Sequence, residues 1–499
     1  MSQSDLNQSN TNQKPLAADD ASAAAAPPRR KSPAAGLVTW TALAMMTVSS
    51  VASLRPAPTM AIYGLACVFL YVLPAIVFLV PTALVSAELA TGWDGGVYQW
   101  VKEGMSPKMG FAAAWHQFAM TIFYYPTLLS FVAATLAYVI KPDLASNGVY
   151  TAIMIIVVFW LGLLVTLRGG IGVIAKLASS GVLIGTLIPG ALLVILGILY
   201  LLQGNPSAAP MTADHILPEW TGVASIVLIV SNFMAYTGME MNAVHVNSMK
   251  DPRREFPKTM FLALVLVLLI LILPPLAISW VIPSSEISLT AGVMQAISAV
   301  FANFGLSWLV PIAGLAIVCA SLAGFVTWLS GPSKSLLLVG KDGGYLPPYF
   351  QKTNKAGVQQ NILVVQGFVT TVLALLFALV PAVSNAYWIF MTITTSVYLL
   401  MYLWLFIAAY RLRKLQPDHP RGYRAPALPL LCVVGFVASL CAIGIGFVPP
   451  SQFGDGNPWL YVAIVGGGIL LLGLIIPAAL LWARKPNWQA PVESEVAAS

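Results

Sequence analysis

Few residues in this sequence have side chains that could do chemistry, and the informative ones lie inside apolar runs. Arg55 follows Ser49-Ser50-Val51-Ala52-Ser53-Leu54 and precedes Pro56-Ala57-Pro58, while Glu240 follows Ala235-Tyr236-Thr237-Gly238-Met239. A charge at the centre of a bilayer costs at least about 2.5–3.5 kcal/mol, so both side chains must face protein or water. Arg55 reads in two ways: as a snorkelling cation that reaches the outer headgroups, or as one that faces a vestibule. In a vestibule it would pair either with a bound carboxylate or with Glu240 across the two segments. Glu240 also has two readings: it accepts backbone N–H bonds and so steadies an interrupted helix, or it is a proton-sensitive gate.

Other chemistry finds no local support. His116 and His245 read as satisfied packing residues, because neither has a second His, Cys or carboxylate at metal-ligand spacing. There is no G-x-x-x-x-G-K-[ST] phosphate loop and no nucleophile elbow, so no enzyme, metal or cofactor is expected. Cys67, Cys319, Cys432 and Cys441 each sit in an apolar stretch without C-x-x-C spacing and read as small packing hydrophobes. Trp308, Tyr398 and Tyr402 read as interfacial anchors or core aromatics.

The elements that would hold these residues follow from hydropathy. Of the 499 residues 58% are hydrophobic and only 9% charged, with a mean hydropathy of +0.83, so the chain cannot cover itself with polar surface. The net charge of +7 does not point to nucleic acid, because the basic residues lie in short loops between apolar runs rather than on one soluble face. Windows long enough to cross a bilayer lie near 37–63, 65–90, 110–140, 150–167, 173–202, 221–247, 256–283, 308–339, 361–380, 384–410, 428–449 and 457–483. Twelve spans threaded from a cytoplasmic N-terminus leave 23 of the 25 Lys and Arg on the cytoplasmic side; Lys141 and Arg55 are the exceptions. That asymmetry predicts both termini inside, in a bacterial inner membrane.

Polar breaks interrupt the first and the sixth span at corresponding places. With five spans between their starts, the two helices enter the membrane from opposite sides, as an inverted repeat requires. Each break alone reads as an ordinary Pro or Gly kink. The matched pair predicts freed backbone N–H and C=O groups near the midplane, able to hold a substrate's carboxylate and ammonium.

Four stretches carry a family resemblance. They are Ala87 through Val101, Ala235 through Met249 with Asp251-Pro252, Val281 through Gln295, and Gly331-Pro332-Ser333-Lys334 with Lys352 through Val358. Over residues 37–485 the chain resembles the amino acid, polyamine and organocation superfamily, and more specifically its glutamate/gamma-aminobutyrate antiporter family. The resemblance implies an all-α membrane protein of two inverted five-helix repeats, with helices 1 and 6 broken and two peripheral helices, working by alternating access. It implies that Trp308, Tyr398 and Tyr402 are gating aromatics, that Ser49 through Ser53 form the unwound first span, and that Tyr236, Thr237, Gly238 and Glu240 form its partner. The sequence departs from the family at Arg55, where a tyrosine is usual, at Pro56 and Ala57, and at Gln359, where a proline is usual.

The organisation expected is a disordered cytoplasmic tail (1–35), a first repeat (36–202), a second repeat (203–411), two further spans (412–484) and a short cytoplasmic tail (485–499). The functional expectation is a secondary transporter that exchanges an amino acid for a related amino acid or amine, with a small-molecule substrate and the lipid bilayer as its partners. Its substrate-binding candidates are Ser49, Ser50, Val51, Ala52, Ser53, Arg55, Tyr236, Thr237, Gly238, Glu240, Trp308, Tyr398 and Tyr402. The rivals are a proton-coupled amino acid permease of the same fold and a membrane sensor that binds an amino acid without moving it. The sensor is disfavoured because no sizeable soluble output domain is present.

Overall fold

In hydrocarbon every backbone polar group must find its partner inside its own segment, so apolar runs of this length fold as helices. The computed structural model describes residues 39–51, 53–168, 183–243, 246, 249–355, 357–380, 382–451 and 457–489, and of Ser49 and Ser50 it describes the backbone alone. The terminal tails up to 38 and from 490, together with Ala52, His245 and Asn247, lie outside the described residues. No strand occurs among the described residues, and ten helical stretches are long and apolar enough to cross a membrane. They are Gly64–Gly92, Pro107–Ile140, Gly148–Arg168, Ile184–Leu202, Pro252–Val281, Ser307–Gly343, Gln360–Leu379, Val383–Leu415, Leu428–Gly446 and Pro458–Ala483. Large apolar side chains such as Phe261, Leu379 and Trp482 stand exposed on their outward faces, where only lipid would satisfy them. The chain is an all-α integral membrane protein.

The two remaining sequence windows, 37–63 and 221–247, hold no long helix among the described residues. The first is divided into α1 (Trp40–Val51) and α2 (Ala57–Ala61). Pro56 explains the division, since it lacks an N–H and disfavours helix at the residue before it, while Pro58 sits in the first turn of α2, where no N–H is needed. The second is divided into α9 (Val230–Tyr236) and α10 (Met239–Ala243). Between them Thr237 is extended, with φ −73° and ψ 158°, and Gly238 has φ +96°, a conformation that L side chains rarely adopt.

Burial separates centre from periphery. In α6 (Pro107–Ile140) and α15 (Val383–Leu415) 78% of the most apolar window is buried, against 28% in α16 (Leu428–Gly446) and in the last span. The two central helices pack on each other, and α6 also packs on α13 (Val310–Gly343). The first interrupted segment packs mainly on the helix Pro252–Val281, and α9 packs on α15.

Proline also dictates how the spans dock. Pro74 leaves the carbonyl of Leu70 without its usual helical donor, and the Asn232 side-chain amide of α9 donates to it at 2.8 Å. Pro477 likewise frees the carbonyl of Gly473, to which His116 Nε2 donates at 2.8 Å. The neighbouring Leu472 carbonyl accepts from Trp115 Nε1 at 2.7 Å. His116 is thus buried in the packing between α6 and the last span, but it is only half satisfied, since its Nδ1 is buried with no hydrogen-bond partner among the described residues. Among the cysteines, Cys67 and Cys432 are buried, whereas Cys319 and Cys441 lie on exposed helix faces rather than in the packing.

Candidate functional site

A cavity of about 60 Å³ lies between the two breaks. The first interrupted segment contributes Val51, Ser53, Arg55 and Pro56; the sixth contributes Ser231, Met234, Ala235 and Thr237. Tyr124 of α6, Trp328 of α13 and Met391 of α15 close its sides. The rings of Tyr124 and Trp328 lie 5.4 Å apart, and the carbonyl of Trp328 is held by the Tyr125 hydroxyl at 3.0 Å.

The break in the sixth segment exposes backbone groups that other side chains satisfy. The Thr237 hydroxyl donates to the carbonyl of Met234 at 2.7 Å, and the Gly238 N–H donates to the Tyr402 hydroxyl at 2.9 Å. Tyr402 then donates to Glu240 Oε2 at 2.5 Å, Tyr398 donates to Oε1 at 2.7 Å, and the Gln117 amide donates to Oε1 at 3.2 Å. Glu240 is 2% exposed, so this constellation is sealed. Two tyrosines one helical turn apart on α15 thereby fix both the carboxylate and the unwound backbone before it. Gly238→Ala is expected to cost about 1–3 kcal/mol, because the positive φ is then borne by a residue with a Cβ. Thermal unfolding of the purified variant in detergent checks this, and a midpoint equal to that of the natural chain removes the argument.

Arg55 is 7% exposed and takes a different set of partners. Its Nη1 donates to Thr127 Oγ1 at 3.2 Å, its guanidinium sits 4.7 Å above the Tyr124 ring, and its own N–H donates to Ser53 Oγ at 3.2 Å. It forms no ion pair with Glu240, whose oxygens are taken up by Tyr398, Tyr402 and Gln117. Buried against α6, it is no snorkelling residue either.

The residues singled out from the sequence are placed as follows. Val51, Ser53, Arg55 and Thr237 line the cavity, while Gly238, Glu240, Tyr398 and Tyr402 form the constellation next to it. Tyr236 turns away: its hydroxyl donates to the carbonyl of Tyr71 at 2.9 Å, and its ring packs edge-on against Tyr71. Trp308 stands at the start of the eighth span, 65% exposed and away from the cavity, where the preceding Ser307–Leu309 turn leaves it on the surface. The tryptophan beside the cavity is Trp328, five to six turns further along that span. Nothing in the sequence distinguishes one tryptophan of an apolar span from another; depth in the span is the one signal, and Trp328 is the deeper. Tyr124, Thr127 and Gln117 also went unmarked, being three of many polar side chains on α6 with no pattern to single them out. Among the described residues no cluster of His, Cys, Asp or Glu is arranged to hold a metal.

Comparison with known proteins identifies the family and agrees with the fold. A model of the amino acid permease family matches residues 38–470. An uncharacterized transporter of Legionella pneumophila is 35% identical over 457 residues, covering 90% of this chain and 96% of its own. A glutamate/gamma-aminobutyrate antiporter of Lactococcus lactis is 29% identical over 446 residues, 87% of each chain. Among solved structures, a manganese transporter of Eremococcus coleocola aligns with a TM-score of 0.55 at 12% identity, over 90% of this chain and 96% of that one. At that identity the likeness is one of fold. With the family model spanning nearly every helix and both breaks, the chain belongs to the amino acid permease family.

Proposed function

We propose that this protein exchanges one amino acid for a related amino acid or amine by alternating access, in a bacterial inner membrane with both termini in the cytoplasm. The observation that carries the reading is the small cavity between two interrupted helices, with Glu240 bound to tyrosines of a third helix at its edge. Interrupted helices supply backbone donors and acceptors to a zwitterion without a dedicated pair of charged side chains. The five-plus-five inverted repeat, 36–202 against 203–411 with 412–484 peripheral, belongs to this proposal, since rocking one repeat against the other is what would open the cavity to either side. An antiporter among the relatives supports exchange as the mode.

Counterflow in proteoliposomes tests it. Vesicles loaded with L-glutamate, L-glutamine, L-leucine, L-arginine, 4-aminobutyrate or putrescine are expected to take up the labelled form of at least one amino acid against its own gradient. Uptake that follows an imposed pH gradient and needs no internal substrate would instead establish a proton-coupled permease, for which the buried Glu240 carboxylate is the candidate proton carrier. No movement of any compound would leave a sensor.

A further inference from the structure

The two buried charges beside the cavity are treated in opposite ways. Both oxygens of Glu240 are hydrogen-bonded by the protein. Arg55 has five guanidinium N–H donors, of which one is spent on Thr127. None of the six ion pairs among the described residues includes Arg55. No other hydrogen bond from its guanidinium occurs among the described residues, and the residue lines the cavity. The ring of Tyr124 stabilises the cation from one side but offers no counter-charge.

A buried charge that the protein does not neutralise must be neutralised by something that enters and leaves. The planar fork of a guanidinium matches a carboxylate bidentately. We propose that Arg55 takes a carboxylate of the transported solute and thereby makes exchange obligatory. With the cavity open, water hydrates the cation. With it closed, water would be excluded, and passage through the closed conformation is then easy only with a carboxylate on the guanidinium. A carrier that has released its solute cannot readily return, so each outward movement requires an inward one. This rests on the exchange reading above and adds to it a cause and a chemical requirement: both exchanged solutes carry a carboxylate, α or distal, so an amine taken in exchange must keep one, as 4-aminobutyrate does.

The experiment compares the natural chain with Arg55→Gln and Arg55→Lys, each reconstituted and shown to be monodisperse. Vesicles carry the labelled compounds of the counterflow panel, and efflux is measured into buffer with and without the same unlabelled compound. The natural chain is expected to release its solute at least about tenfold faster when exchange is possible, and to leave putrescine, which has no carboxylate, unexchanged. In Arg55→Gln the ratio should fall towards one because net efflux rises, while Arg55→Lys, which keeps the charge, should keep the ratio. The half-saturation concentration should rise about tenfold or more in Arg55→Gln. A rise for every amino acid assigns the pair to the α-carboxylate; a rise confined to L-glutamate and 4-aminobutyrate assigns it to the distal one. An unchanged ratio in Arg55→Gln overturns the proposal, as does putrescine exchanging as fast as the amino acids. Loss of both fluxes in folded Arg55→Gln overturns it too, since Arg55 would then be needed for movement itself. Failure of counterflow in the natural chain is a separate result, and it removes the exchange reading instead.

Discussion

Replacing Glu88 by Ala is expected to destabilise the folded protein by about 3–5 kcal/mol, the usual cost of stripping one partner from a buried ion pair. Glu88 sits in the last turn of α4 (Val80–Gly92) and is 2% exposed. Arg413, from the end of α15, donates to both of its oxygens; Arg421, from the following loop, donates to Oε1 at 2.7 Å, and the Ala425 N–H donates to Oε2 at 2.8 Å. Arg421 is committed further to the carbonyls of His419 and Gln416 and lies 5.2 Å from the Trp93 ring. One carboxylate thus ties the second span to the loop between the tenth and eleventh, and without it two arginines remain with no acid beside them. Glu88→Gln keeps the shape and removes the charge, so it should reproduce most of the loss. The apparent unfolding midpoint in detergent, at one fixed scan rate, should drop by roughly 5 °C or more. A midpoint for Glu88→Gln within experimental scatter of the natural chain would show that hydrogen bonding alone, not the ion pair, fastens this loop.

Tyr402→Phe is expected to slow transport by about 10- to 100-fold with little change in the amount of folded protein. The Tyr402 hydroxyl has two duties: it accepts the N–H of Gly238 and donates to Glu240. Hydrogen bonds to charged groups are worth about 1.5–3 kcal/mol, and here the loss also orphans a backbone N–H at the hinge of the sixth segment. The phenyl ring of the variant still packs against Phe78, so the core should hold. Initial counterflow rates normalised to reconstituted protein measure the effect. Tyr398→Phe, which removes a single donor from Glu240, should be milder. Natural rates in Tyr402→Phe would mean that the break is fixed by local backbone geometry, with Gly238 sufficient by itself.

Much of this molecule was legible in the sequence because a bilayer imposes simple rules. Long apolar runs must be helices, and among the described residues the two runs interrupted before Ala57 and at Thr237-Gly238 are the two in which no long helix forms. The break at Thr237-Gly238 and the requirement that Arg55 and Glu240 face protein or water follow from residue type and depth, which are properties of the chain.

Which side chain meets which is another matter, since it depends on how the helices rotate and cross, and that is set by packing among many spans at once. The sequence left Arg55 free to pair with Glu240 or with a ligand; the tertiary structure sets it against Tyr124 and Thr127 and hands Glu240 to two tyrosines 158 and 162 residues away. It turns Tyr236 towards Tyr71 and leaves Trp308 on the surface, while Trp328 takes the place beside the cavity. It also joins Glu88 to arginines more than 300 positions further along the chain, a pairing no local pattern announces. The sequence by itself determined where this chain must cross the membrane and where it must break, because desolvation acts on each residue separately. Only the tertiary structure decided the partners of the buried charges, because in the low dielectric of the interior a charge is governed by the few groups within hydrogen-bonding reach.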